Sequence, residues 1–201
     1  IALTVITEPP VIGGLYDVFL VENSATVLGF TVNDPEGSQI SMEMLEAPGY
    51  VTMNYETGDD EGTIEISPGY GAQGGDVVLV ATNNDALVPE QTEGSFSVSI
   101  NHYPEFSPTD NYYILEGESA SIDIQVTDVD SDSISITLQS APDYVSYEPY
   151  NSYSGQVILG DTNGGDSGDI IFDISDNGVP SASLISGFYV VLNHNPDILG
   201  I

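Results

Sequence analysis

The sequence repeats itself. Asn101-His102-Tyr103-Pro104 and Asn193-His194-Asn195-Pro196 each close a segment in which apolar and polar residues alternate. Setting Pro10 on Pro104, 94 residues later, also sets Glu22 on Glu116, Val32 on Val126, Asp34 on Asp128 and Ala47-Pro48 on Ala141-Pro142. The offset then shortens to 93, where Gly75-Asp76 meets Gly168-Asp169. It shortens again to 92, where Phe96, Val98 and Ile100 meet Phe188, Val190 and Leu192. A matched pattern whose offset drifts by single residues is the signature of tandem modules that differ by loop insertions. The chain is an array, and its function must be argued for an array.

Within each repeat the apolar residues recur at every second position, with no helical stripe, and that period selects strand. Ala120, Ile122, Ile124 and Val126 point one way while Ser121, Asp123 and Gln125 point the other; Leu28, Phe30 and Val32 are the counterparts in the first repeat. About seven short strands per repeat, with Gly, Asp and Pro turns between them, predict an all-β protein of two tandem Ig-like or cadherin-like β-sandwich domains. The expected domains are 8–101 and 102–195. Residues 1–7 alternate like the last strand of a preceding domain, and 196–201 resembles the opening of a following module. Two explanations stay open: a window of a longer array, or a subunit whose terminal strand pairs with its neighbour by strand addition. The expected partners are therefore neighbouring modules or copies of the chain itself, end to end.

Charge narrows the function classes. The chain holds 32 acidic side chains and no Lys or Arg, a formal net charge of −32. Nothing can neutralise phosphates, which excludes nucleic acid and anionic lipid as partners. No ion pair can form within the chain except through a protonated histidine. Self-repulsion opposes compaction, so divalent cations or salt must screen it; a solvated surface suited to saline water is the plain reading of the overall charge. Cysteine is absent, so no disulfide supports the fold. No apolar run approaches the ~18 residues of a membrane span, and Ile1–Ile6 lacks the basic start of a signal peptide. No Asn-x-Ser/Thr sequon occurs, leaving Ser, Thr and Tyr as the residues open to glycosylation. Without Cys, Lys or Arg a nucleophile would have to be Ser beside one of two linker histidines, and the carboxylate pairs recur on loops of both repeats. No enzyme is expected.

The placed carboxylates point to a cation. Asp128-Val-Asp130-Ser-Asp132 follows a strand directly, and alternate carboxylates in a tight loop can converge on one hard ion that wants six to eight oxygens. The first repeat keeps Asp34-Pro-Glu36 there. Asp176-Asn-Gly178-Val-Pro180 follows a later strand, with Asn83-Asn84-Asp85 as its counterpart, and Glu22 and Glu116 share a matched turn.

Val126-Thr-Asp128-Val-Asp130, Ala141-Pro-Asp-Tyr144, Ser175-Asp176-Asn-Gly178-Val-Pro180 and Asn193-His-Asn195-Pro196 together resemble cadherin-type modules. The resemblance runs through both repeats and is nearest to the dystroglycan-type cadherin-like, or Ig-like, repeats of bacterial surface proteins. It implies structural Ca2+ between consecutive modules. Carried over, Glu22 and Asn101 would serve the junction from the first repeat and its linker, with Asp128, Asp130 and Asp176 from the second. Glu116, Asn193 and Asn195 would form a half-site completed by a following module, and Asp34, Glu36 and Asp85 would face whatever precedes. The acidic residue that cadherins carry mid-module has no clear match, and the linkers hold Asn and His where cadherins place Asp, so fewer or weaker ions are expected. The function implied is an extracellular, calcium-stiffened stalk or adhesin of a bacterial cell surface. The alternatives are a filament subunit joined by its terminal strands and a carbohydrate-binding module that contacts glycans or cell surfaces.

His102 and His194 sit at matched linker positions, where packing or water contact is the first reading and metal ligation or pH sensing the second. Tyr144, Tyr147, Tyr150 and Tyr153 are spaced by three. Ordinary core and surface tyrosines are the first reading, a glycan-stacking platform the second.

Overall fold

The computed structural model describes residues 8–84 and 89–196, and every regular element among them is a strand. The expected terminal strands, and Asp85, lie outside the described residues. The chain divides into two units, Ile1–Asn101 and His102–Ile201. The first holds β1 (Val11–Gly13), β2 (Val18–Val21), β3 (Thr26–Asn33), β4 (Ile40–Glu46), β5 (Val51–Asn54), β6 (Glu61–Ile66), β7 (Gly75–Asn83) and β8 (Gln91–Asn101). The second holds β9 (Glu105–Ser107), β10 (Tyr112–Leu115), β11 (Ala120–Thr127), β12 (Ser135–Ser140), β13 (Val145–Asn151), β14 (Ser154–Leu159), β15 (Gly168–Ser175) and β16 (Ser183–Asn193).

Each unit is two four-stranded sheets. The orders β1-β3-β6-β5 and β2-β8-β7-β4 in the first unit are repeated by β9-β11-β14-β13 and β10-β16-β15-β12 in the second. The eighth strand, beyond the seven expected, arises because the first strand is split between the sheets. β1 pairs antiparallel with β3, whereas β2 pairs parallel with β8. In the first unit the crossing passes through Gly14, whose φ of +86° favours glycine and which lies so close that an added Cβ would sit 3.0 Å from the Gly29 carbonyl oxygen. In the second unit β9 stops at Pro108, which has no N–H to continue a ladder, and β10 pairs parallel with β16.

The period-two pattern becomes burial directly. Leu28, Phe30 and Val32 of β3, and Ile122, Ile124 and Val126 of β11, turn inward, while their neighbours face solvent. The first core gathers Phe30, Ile64, Leu79 and Phe96. The second centres on Phe172, whose ring lies 5.5 Å from Phe106 and meets Tyr147 edge-on at 5.2 Å. Burying side chains of this size contributes about 1.5–3 kcal/mol each, and no disulfide shares the task.

Of the four spaced tyrosines, Tyr147 and Tyr150 share β13, where an odd step crosses from one face of a strand to the other. Tyr144 and Tyr147 are half-buried and pack on the core, while Tyr150 and Tyr153 are exposed.

Candidate metal centre

Strand register brings the acidic segments of the second unit to one end. Thr127 of β11 pairs with Glu105 of β9, and Ser175 of β15 pairs with both Ser135 of β12 and Ser183 of β16. The loops carrying Asp128–Asp132 and Asp176 therefore leave the same edge of the sandwich. Asp128, Asp130 and Asp132 each offer a carboxylate oxygen within 4.8 Å of the others. Asp128 Oδ1 accepts the Asp132 backbone N–H at 3.1 Å, which fixes the loop. Its Oδ2 is buried and accepts no hydrogen bond. The Asp132 carboxyl is pushed above the usual carboxylate range, by desolvation first and then by the charges of Asp128, Asp176 and Asp130. Asp176 is 6% exposed, and its Oδ1 accepts N–H bonds from Gly178 at 3.0 Å and Ala182 at 2.9 Å. An uncompensated buried carboxylate oxygen is costly, and a hard cation is the partner that carboxylates in this number accept.

The linker residue His102 is tied to the same loop. Its backbone N–H donates to Asp130 Oδ2 at 2.7 Å, and its ring Nδ1 lies 3.0 and 2.9 Å from the two Asp130 oxygens. The ring is buried, so this histidine is neither solvated nor packed only against apolar atoms.

The matched end of the first unit is built differently. Asp34 Oδ1 accepts N–H bonds from Glu36 at 3.0 Å and Ser38 at 2.9 Å, and its Oδ2 accepts the Asn83 side-chain amide at 2.7 Å. Both oxygens are used, and both Asp34 and Asn83 are buried. Asn83 occupies the position that Asp176 takes at an offset of 93. One amide in place of one carboxylate satisfies this end from within. Glu36 Oε2 accepts the Glu8 backbone N–H at 3.3 Å, the same main-chain contact that His102 makes to Asp130.

At the opposite end of each unit, the two matched glutamates hold main chain. Glu22 is 1% exposed and takes the Gly71 N–H at 2.6 Å on Oε2, while its own N–H donates to the Asn101 carbonyl at 2.9 Å. Glu116 repeats both contacts, Oε1 taking the Gly164 N–H at 2.9 Å and its N–H donating to Asn193 O at 2.9 Å. Asn195 donates its backbone N–H to Glu116 Oε2 at 3.3 Å, and His194 Nδ1 lies 3.3 Å from the same oxygen. These contacts hold the Glu116 carboxyl below its usual range, the Gly164 and Asn195 amides first and His194 after them.

Of the ligands expected from sequence, Asp128 and Asp130 thus converge, with Asp132 joining them and Asp176 close enough to raise Asp132. Glu22 and Asn101 meet each other in the first unit. Glu116, Asn193 and Asn195 meet in the second. Asp34 and Glu36 lie on one loop. Asn83, which decides the first unit's end, is legible in sequence as the counterpart of Asp176 but not as the donor to Asp34.

No family model matches the sequence, and no curated protein is similar to it. Among solved structures, the I-band fragment I67–I69 of titin is similar with a TM-score of 0.55 at 12% identity, over 94% of this chain and 67% of that one. A three-Ig structure of titin I67–I69 carrying Glu-to-Ala changes gives a TM-score of 0.55 at 13% identity, over 98% of this chain and 69% of that one. At such identities the likeness is one of fold. The chain is a tandem of Ig-like β-sandwiches.

Proposed function

We propose that the chain is a structural module of an extracellular array, a cadherin-like, calcium-stiffened segment of a bacterial surface stalk or adhesin. One observation carries this reading: Asp128 Oδ2 is buried without a hydrogen bond in a loop where Asp130 and Asp132 offer further oxygens within 4.8 Å. Those three residues would hold Ca2+, with Asp176 adding its charge beside them. The ion would supply the positive charge that a chain without Lys or Arg lacks. The Asp130 carboxylate already receives the His102 N–H, so an ion on this loop also fixes the segment that leads into the second module. A tandem sandwich fold with 32 acidic side chains and no Lys or Arg suits a spacer in saline surroundings, where calcium is abundant and solubility depends on charge.

The test is small-angle scattering of the full chain with molecular mass, in millimolar calcium and then in excess chelator. A monomer whose profile broadens on chelation is expected. Superimposable profiles would overturn the calcium reading. Long polymers in both conditions would replace it with a filament joined by terminal strands.

A further inference from the structure

The second unit carries a groove that its calcium loop does not use. It crosses the outer face of the β9-β11-β14-β13 sheet, encloses about 500 Å³, and is lined by Ser107, Asp123, Gln125, Tyr150 and Ser154, with Gly155 between the strands. Register sets the residues side by side: Asp123 of β11 faces Gln156 of β14, and Gln125 faces both Ser154 and Ser107. Tyr150 stands at the rim, 59% exposed and outside the core cluster. Its hydroxyl approaches Asp123 Oδ1 at 3.5 Å, and the Gln156 amide donates to that oxygen at 3.1 Å. Asp123 is exposed and is held in place by these contacts to one of its oxygens.

The first unit supplies an internal control. A groove of about 590 Å³ lies at the same place, lined by Gly29, Thr31, Asn54, Glu61 and Thr63. There β5 ends at Asn54 after four residues, whereas β13 runs seven, to Asn151. Glu56 stands at the position matched to Tyr150 by the offset of 94, and Gly29 at that of Asp123. The fold therefore requires neither the tyrosine nor the aspartate, and core packing does not account for them.

We infer that the β11–β14–β13 groove of the second unit binds a neutral polysaccharide, with Tyr150 as the stacking platform and Asp123, Gln125 and Gln156 as the hydroxyl-binding rail. The chemistry is specific to that class. The C–H face of a pyranose is electropositive and packs on the electronegative face of a tyrosine ring. Adjacent sugar hydroxyls donate and accept at once, matching a carboxylate flanked by amides. An anionic glycan is refused, because a chain of net charge −32 with no Lys or Arg has nothing to pair with sulfate or carboxylate. An ammonium ligand would use the carboxylate and the ring but leave the amide donors of Gln125 and Gln156 unmatched.

The inference does not rest on calcium. Its test is calorimetric titration of the full chain with neutral β-linked hexasaccharides of glucose, xylose, mannose and N-acetylglucosamine, with spermine as a cationic probe. At least one hexasaccharide should bind. Tyr150→Ala should weaken that binding about tenfold, the scale of a lost aromatic contact, while Tyr150→Phe keeps most of it. Tyr150 is exposed, so an unchanged amide spectrum is expected for both variants. Binding of spermine alone, binding indifferent to Tyr150→Ala, or no binding of any neutral hexasaccharide would each overturn the inference.

Discussion

The two modules close the same end of the same fold in opposite ways. In the first, Asp34 is buried and each of its oxygens has a hydrogen-bond donor, the last being the Asn83 amide. In the second, Asp176 replaces that asparagine, Asp128 Oδ2 is left without a donor, and two more carboxylates crowd the loop. Two matched positions make the difference, Asn83 against Asp176 and Ser38 against Asp132, and they leave the second end richer in carboxylate and poorer in donors. A repeat protein can in this way keep its architecture while varying, module by module, which ends respond to the medium.

The sharpest way to break this comparison is to exchange the residues. Asn83→Asp should destabilise the first module in chelator by about 3 kcal/mol, because it removes a charge-assisted bond and adds a like charge beside a buried carboxylate. Calcium should then restore it. Asp176→Asn should make the second module indifferent to calcium. Denaturant melts of both variants, with and without chelator, decide the matter; an Asn83→Asp protein as stable as the parent in chelator would show that the amide does not govern this end.

Chelation of the unmodified chain should separate the modules almost as widely. At calcium a hundredfold above its dissociation constant, one ion stabilises by about 2.7 kcal/mol. Hydrogen exchange reports on the modules separately, so chelator should speed exchange at Ile170 and Phe172 of β15 and leave Val77 and Leu79 of β7 unchanged. Equal acceleration in both strands would remove the distinction.

The smallest effect concerns the opposite end and pH. The Glu116 carboxyl is held below its ordinary value of 4.5 by the Gly164 and Asn195 amides. The ionised form is therefore the stabilising one. Its contribution is present above 4.5 and is lost as pH falls through the lower folded value. Exchange at the Gly164 amide should quicken across that acid window, and Glu116→Gln should flatten the response.

The fold was legible because period-two alternation and the drifting offset carry it redundantly: an inward β11 face of Ile122, Ile124 and Val126 can be read without coordinates. The split first strand was not, since Gly14 and Pro108 punctuate it without changing the alternation on either side. The candidate site was half legible. Asp128 and Asp130 announce themselves as carboxylates on one short loop. Glu22 and Glu116 are legible in sequence as a matched pair of carboxylates, and the structure adds that each holds a loop amide, Gly71 or Gly164, some fifty residues away. Asn83 can be read as the counterpart of Asp176, but its bond to Asp34 cannot: a donor placed by strand register leaves no local signature.

The parallel pairing of β2 with β8, and of β10 with β16, has a consequence for load. In each module the strand near the entry and the strand at the exit lie side by side and run the same way, Val18 against Val98 and Tyr112 against Val190. Tension applied through the entry and exit segments pulls the two strands along their own axes in opposite senses. Every rung of the ladder is then strained together, in shear, and none can be peeled away ahead of the rest. The last rung is backed by the Glu22 N–H on Asn101, or the Glu116 N–H on Asn193, so each glutamate's main chain adds one more bond to the set that must break at once.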